Sequence, residues 1–135
     1  METQDQCAIL TISLARHLVG HGINHVLEKA WIDPEVPASI LSRFTNVGFD
    51  LSVDDTAANL KELKKVLSSQ QWNGIILGWC VRGHVEFTEL FETVVAVCVD
   101  HISETRAEVS LEPKLIFCRG PDDLVNATLR NFPST

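Results

Sequence analysis

Arg82 and Arg119 each follow a short apolar run, Gly74–Cys80 and Lys114–Cys118, and each stands just ahead of a helical pattern. A guanidinium presents a planar fork of N–H donors that matches a carboxylate or phosphate. A helix N-terminus adds free N–H groups with the same preference for anions. Neighbouring parallel strands lie about 4.8 Å apart, so arginines at two adjacent strand ends can reach one carboxylate, enolate or phosphate. The competing reading pairs Arg82 with Glu86, and Arg119 with Asp122 or Asp123. His84 and Glu86 come directly after Arg82-Gly83 and offer an acid–base couple. An imidazole exchanges protons near neutral pH, and a nearby carboxylate can orient it.

Cys80 close to His84 suggests a thiolate nucleophile, since a helix N-terminus and an imidazolium both lower a thiol pKa. The opposing assignment is a small buried hydrophobe at a strand end. Trp79 and Trp31 can supply apolar walls. His17, His21 and His25 recur at a spacing of four, as metal ligands on one helix face would. Gly20 and Gly22 interrupt the helix that such a face requires, and no fourth ligand is indicated. Solvent-facing histidines are therefore expected, and no metal.

Positioning these groups requires a framework, and the second half of the chain states it clearly. Asp54-Asp55 can cap a helix whose stripe is Leu60, Leu63, Val66 and Leu67. The run Gly74–Cys80, bounded by turn residues, suits a strand buried on both faces. Phe87, Leu90, Phe91, Val94, Val95, Cys98 and Ile102 then repeat at helical spacing. Lys114–Cys118 reads as another strand, and Pro121 with Asp122-Asp123 opens a last helix through Leu124, Val125, Thr128, Leu129 and Phe132.

In the first half, Val47–Val53 alternates as a strand, Pro37–Phe44 suits a short helix, and His25–Ile32 reads as a strand ended by Asp33-Pro34. Residues 7–19 fit either a helix closed by Gly20 or a strand over Ala8–Leu14 followed by a short helix. The helix is preferred, which makes residues 1–22 an N-terminal helical extension of a single domain spanning 1–135. The resulting β-α-β-α-β-α-β-α pattern predicts an α/β fold. It is a small, doubly wound, four-stranded parallel sheet with helices on both faces, Rossmann-like or flavodoxin-like, in the order 2-1-3-4.

Ligands of such sheets bind beyond the carboxyl ends of the strands. Four segments are expected there: Asp33–Glu35, Asp54-Asp55, Cys80–Glu86 and Cys118–Asp123. The candidate catalytic residues are His84, Glu86 and Arg82. The candidate substrate-binding residues are Arg119, Cys80, Cys118, Asp54 and Trp79.

Composition narrows the partners. With 11 Lys+Arg against 18 Asp+Glu, the 135 residues carry a formal charge of −7, which disfavours nonspecific nucleic-acid binding and anionic membrane surfaces. The METQDQ start lacks a basic n-region, and no apolar run approaches the roughly 20 residues of a membrane span, so a cytoplasmic protein is expected. The four cysteines include no C-x-x-C pair and match no zinc spacing. A P-loop, a G-x-G-x-x-G turn and a G-x-S-x-G elbow are all missing from the sequence. Phosphoacceptor chemistry is disfavoured as well, because the third strand ends in Cys80 and the last in Arg119. No cofactor is implied.

From His25 onward the chain resembles a family of small bacterial α/β proteins of unknown function. The resemblance rests on Ile32-Asp33-Pro34-Glu35, Gly78-x-x-Val81-Arg82 after a strand, Leu90-Phe91-Glu92-x-Val94-Val95, and Ala127-x-Leu129-Arg130. Cys80 stands where the family has a second glycine, Ala96 where it has an asparagine, and Cys118-Arg119 where it has Asn-Thr. The resemblance implies the fold and the place of the site, and it brings no assigned chemistry. Two functions follow as expectations. One is a cofactor-independent enzyme of isomerase, cyclase or lyase type, acting on a small, partly apolar, anionic molecule. The other is a non-catalytic small-ligand-binding or homo-oligomeric assembly module. A homodimer is expected for either, because a four-stranded sheet exposes two edges.

Overall fold

The structure is a computed structural model that describes residues 6–14, 16, 20–32, 34–109 and 112–133. Four strands, β1 (Cys7–Ser13), β2 (Phe44–Asp50), β3 (Gly74–Leu77) and β4 (Lys114–Phe117), form one parallel sheet in the order β2-β1-β3-β4. In register, Ile12 lies opposite Leu77, and Leu77 opposite Phe117. The helices are α1 (Ile23–Ala30), α2 (Ala38–Leu41), α3 (Thr56–Ser68), α4 (Trp79–Arg82), α5 (Thr88–Val109) and α6 (Leu124–Asn131). Single 3₁₀ turns over Val85–Phe87 and Pro121–Asp123 lead into α5 and α6.

Two elements of the first half differ from the sequence-based expectation. Residues 7–13 are a strand, not a helix, and they occupy a central position in the sheet. Ile9, Leu10 and Ile12 are all fully buried. A run apolar on every side fits a strand sandwiched between two helical layers, whereas a surface helix would need one polar face. The expected helical extension over residues 1–22 is thereby replaced by a core strand in its middle; residues 1–5, 15 and 17–19, including His17, lie outside the described residues. Conversely, the expected strand His25–Ile32 is absent: residues 25–30 belong to helix α1, and Trp31 and Ile32 form the turn after it. Its inward residues are Ile23 and Leu27, one turn apart, while Asn24, His25, Glu28 and Lys29 are exposed. The strand count and order survive because one strand is exchanged for another.

Alternate strand residues feed two cores. On one face Leu10, Ile12, Ile75 and Leu77 pack with Leu63 and Leu67 of α3 and with Val94 and Cys98 of α5. On the other, Ile9, Ile76 and Ile116 pack with Ile23 and Leu27 of α1 and with Leu124 and Ala127 of α6. Burial of large aliphatic side chains, each worth about 1.5–3 kcal/mol, thus holds helices on both faces.

Local capping sets the helix starts. Asp55, at the start of α3, accepts from the Ala58 N–H at 3.1 Å. Helix α1 has no side-chain cap of its own, and Asp50 at the end of β2 accepts from the Ile23 N–H at 2.8 Å instead. Asn24 Oδ1 accepts from the Gly48 N–H at 3.0 Å, so α1 lies directly against β2. A Cβ at position 48 would collide with Ile23 Cγ2, and only glycine permits this approach.

Candidate functional site

The carboxyl edge of the sheet is built from the residues that follow each strand. Between the parallel strands β1 and β3, from which the chain leaves toward β2 on one side and β4 on the other, the backbone is pinched shut. The Gly78 N–H donates to the Ile12 carbonyl at 2.7 Å, and a Cβ on Gly78 would stand 3.2 Å from Ser13 Oγ. Cys80, buried at 2% exposure, hydrogen-bonds the Ser13 side chain. Burial pushes its thiol up, and the Ser13 contact offsets this only in part. A protonated, enclosed sulfur is a packing group here, not a thiolate.

At the neighbouring strand end the structure brings Trp79, Arg82, Cys118 and Arg119 together. Trp79 packs against both cores and closes the gap between them. Its backbone N–H hydrogen-bonds Cys118, whose thiol burial pushes up to about 11. Arg82 Nη2 donates to the Cys118 carbonyl at 2.8 Å, and its guanidinium lies over the Phe117 ring, 5.8 Å from the centroid. Arg119 donates its backbone N–H to Asp123 Oδ2 at 2.9 Å, while its Nε lies 3.7 Å from the same oxygen. Arg82 therefore bonds a main-chain carbonyl in place of Glu86. Arg119 takes Asp123, one of the two partners considered for it.

Arg130 completes this network. Its Nη1 lies 3.4 Å from Asp123 Oδ1, and its Nη2 donates to the Phe117 carbonyl at 2.8 Å. Burial raises the Asp123 pKa. The Arg119 N–H, the Arg130 hydrogen bond and the charges of Arg130 and Arg119 outweigh it, so the carboxyl is held below its ordinary value. In the sequence Arg130 stands out only within Ala127-x-Leu129-Arg130; its spacing of seven from Asp123, two helical turns, is the signal for this contact.

The other shortlisted residues stand apart. His84 and Glu86 are exposed; His84 meets the Phe87 ring edge-on at 6.0 Å, and Glu86 enters no ion pair among the described residues. Asp54 is exposed beyond β2, at the opposite edge of the sheet from β4. Three strand spacings, about 14 Å, separate those two edges. Asp33 lies outside the described residues. Pro34 and Glu35 follow α1, which runs back from the carboxyl edge, so this segment is at the amino-terminal side of the sheet.

A cavity of about 700 Å³ opens on the face covered by α1 and α6. His21, His25 and Lys29 line one wall; Pro121, Asp122 and Val125 line the wall across from it. Val26 and Ala30 also face it, and Ile32, Pro34 and Val36 line it beyond the end of α1. The His21 and His25 rings stack with centroids 4.9 Å apart and planes 27° from parallel. Among the described residues no cluster of His, Cys, Asp and Glu suits a metal ion. His25 and Lys29 stand one turn apart on α1, and His21 precedes the helix. That alignment is invisible once residues 25–32 are read as a strand.

No family model, curated protein or solved structure matches the chain. No helix among the described residues is long and apolar enough to cross a membrane.

Proposed function

We propose that this protein is a binding module that holds a small, partly apolar, anionic molecule in the cavity between α1 and α6, without covalent chemistry. The observation that carries the proposal is the composition of the cavity wall: three nitrogen bases of α1 and its entry, His21, His25 and Lys29, face the apolar Pro121 and Val125. Concave sites that combine an apolar lining with a few polar groups are the usual form of small-molecule sites. The engagement of the arginines supports binding over catalysis, since Arg82 and Arg119 already serve the main chain and Asp123. The raised thiol pKa values of Cys80 and Cys118 remove the nucleophile that covalent chemistry would use. Free cysteines, three of them buried, fit a reducing compartment such as the cytoplasm. Exposed Val47 on β2 and Phe117 on β4 support pairing of sheet edges in a homodimer, which size-exclusion chromatography tests.

Asn126 lines the cavity and is exposed, so Asn126→Trp fills the space without disturbing the core. In a thermal-shift and calorimetric screen of carboxylates and phosphates, the wild type is expected to gain stability, about 2.7 kcal/mol at a hundredfold excess over Kd. Asn126→Trp is expected to gain none. Equal responses of the two proteins would place the ligand elsewhere.

A second reading, a cofactor-independent isomerase, cyclase or lyase, is favoured by one observation: His84 and Glu86 stand exposed on the loop directly after Arg82. Assays on aromatic ketones and hydroxy acids with Arg82→Ala and His84→Ala separate the two readings. Turnover lost in both variants, with cavity binding retained, selects the enzyme.

A further inference from the structure

Resting on the binding-module reading, we infer that the molecule held between α1 and α6 is a partly apolar dicarboxylate. The three basic groups form two stations, His21 just ahead of α1 and His25 and Lys29 on it. His21 and His25, stacked at 4.9 Å, form one station of two imidazoles that a single carboxylate can bridge. Lys29 is the other, one turn further along the helix, about 6 Å from His25 in axial rise. Among the described residues none of the three side chains makes a hydrogen bond or an ion pair with another part of the protein. Toward the described residues their bonding capacity is thus unused.

Between the stations the lining is apolar, and opposite them Pro121 and Val125 lie beside the polar Asp122 and Asn126. Val26 and Ala30 each follow one of the bases in sequence, and Val125 lies across from them on α6. A ligand matching this pattern has acidic ends and a hydrocarbon middle. The opposite wall argues the same way. Asp122, exposed at the start of the α6 segment, repels an anion from that side, which leaves the α1 wall as the place for both acidic groups. The molecule as a whole carries −7 and repels polyanions, so the site selects a compact diacid, not a polyphosphate or nucleic acid. Inorganic phosphate would satisfy the imidazole station and leave Lys29 and the apolar middle unused.

The test is a calorimetric titration in a weakly acidic buffer. The probes are glutarate, adipate and suberate, with hexanoate, 1,6-hexanediol and inorganic phosphate as controls. The wild type is expected to bind one of the diacids about tenfold or more tightly than hexanoate, with no binding of the diol; tenfold corresponds to one 1.4 kcal/mol contact. Lys29→Met is expected to abolish the preference for diacid over monoacid while leaving hexanoate affinity unchanged. His25→Gln weakens both acids. Thermal denaturation of the variants, all at exposed positions, verifies that they fold. Equal binding of hexanoate and the diacids, or phosphate binding as tightly as a diacid, overturns the dicarboxylate inference and leaves the binding module standing. Failure of every probe to bind overturns both.

Discussion

Arg82 and Asp123 hold opposite ends of one peptide unit: the guanidinium bonds the Cys118 carbonyl at 2.8 Å, and the carboxylate accepts from the Arg119 N–H at 2.9 Å. That peptide is where β4 ends and the chain turns toward α6. Arg82, which looked suited to ligand chemistry, is thus recruited with Asp123 to anchor the turn. Arg82 ties it to α4, after β3, and Asp123, through Arg130, ties it to α6.

Replacing Arg82 with Met removes one charge-assisted hydrogen bond whose donor is largely exposed. A loss of about 1 kcal/mol is expected, near the low end for bonds to charged groups, read as a lower urea midpoint with an unchanged slope. Diacid binding in the α1–α6 cavity is expected to stay as in wild type. An unaltered midpoint sinks the anchoring role.

Asp123 predicts a pH dependence of definite sign. Its carboxyl is depressed in the folded state, so its contribution is complete above the unfolded value near 3.9. It is lost as pH falls through the lower folded value. Asp123→Asn leaves Arg130 with a poorer partner and is expected to cost about 2–4 kcal/mol at pH 7. The gap between wild type and variant should hold from pH 7 to about 5 and narrow below about pH 4. Urea midpoints across that range measure it. A gap that widens in acid contradicts the assignment.

Thiol labelling follows burial. Burial pushes Cys98 up to about 12 and Cys118 up to about 11, and Cys80 is raised as well. In the native protein at pH 8, only the half-buried Cys7 is expected to react with a disulfide reagent on a minute scale. Unfolding in guanidinium releases the remaining three. Rapid labelling of Cys80 would revive the nucleophile reading.

Gly48 is a packing requirement more than a turn. A methyl group there runs into Ile23 Cγ2 and stands 2.8 Å from Asn24 Oδ1. Gly48→Ala should therefore push α1 away from β2 and destabilise by about 1–3 kcal/mol, as overpacking does. Chemical denaturation checks the magnitude. Because α1 carries His25 and Lys29, diacid affinity is expected to fall with it. A stable variant with intact binding would show that α1 tolerates the shift.

Much of the candidate site was legible, though not the roles within it. Arg82, Arg119, Cys118 and Trp79 do converge at adjacent strand ends, because a residue just after a parallel strand has to emerge at the carboxyl edge. Their partners were not legible. Arg82 bonds a carbonyl, and every residue supplies one, so no side-chain pattern could point to Cys118. His21 and His25 stood out by their spacing of four, but their alignment with Lys29 was hidden: His25 and Lys29 share a face only if residues 23–30 are helical, and the apolar content of HVLEKAWI also suits a strand.

By itself, the sequence determined the α/β class, the four-stranded parallel sheet and its 2-1-3-4 order. Doubly buried runs such as Gly74–Leu77, alternating with amphipathic helices, leave few other ways to cover both faces of a sheet. Only the tertiary structure decided that Cys7–Ser13 takes the central place and that His25 belongs to a helix. Short apolar segments satisfy either local geometry, and the choice falls to whichever arrangement buries Ile9, Leu10 and Ile12 completely while leaving His25 and Lys29 in water.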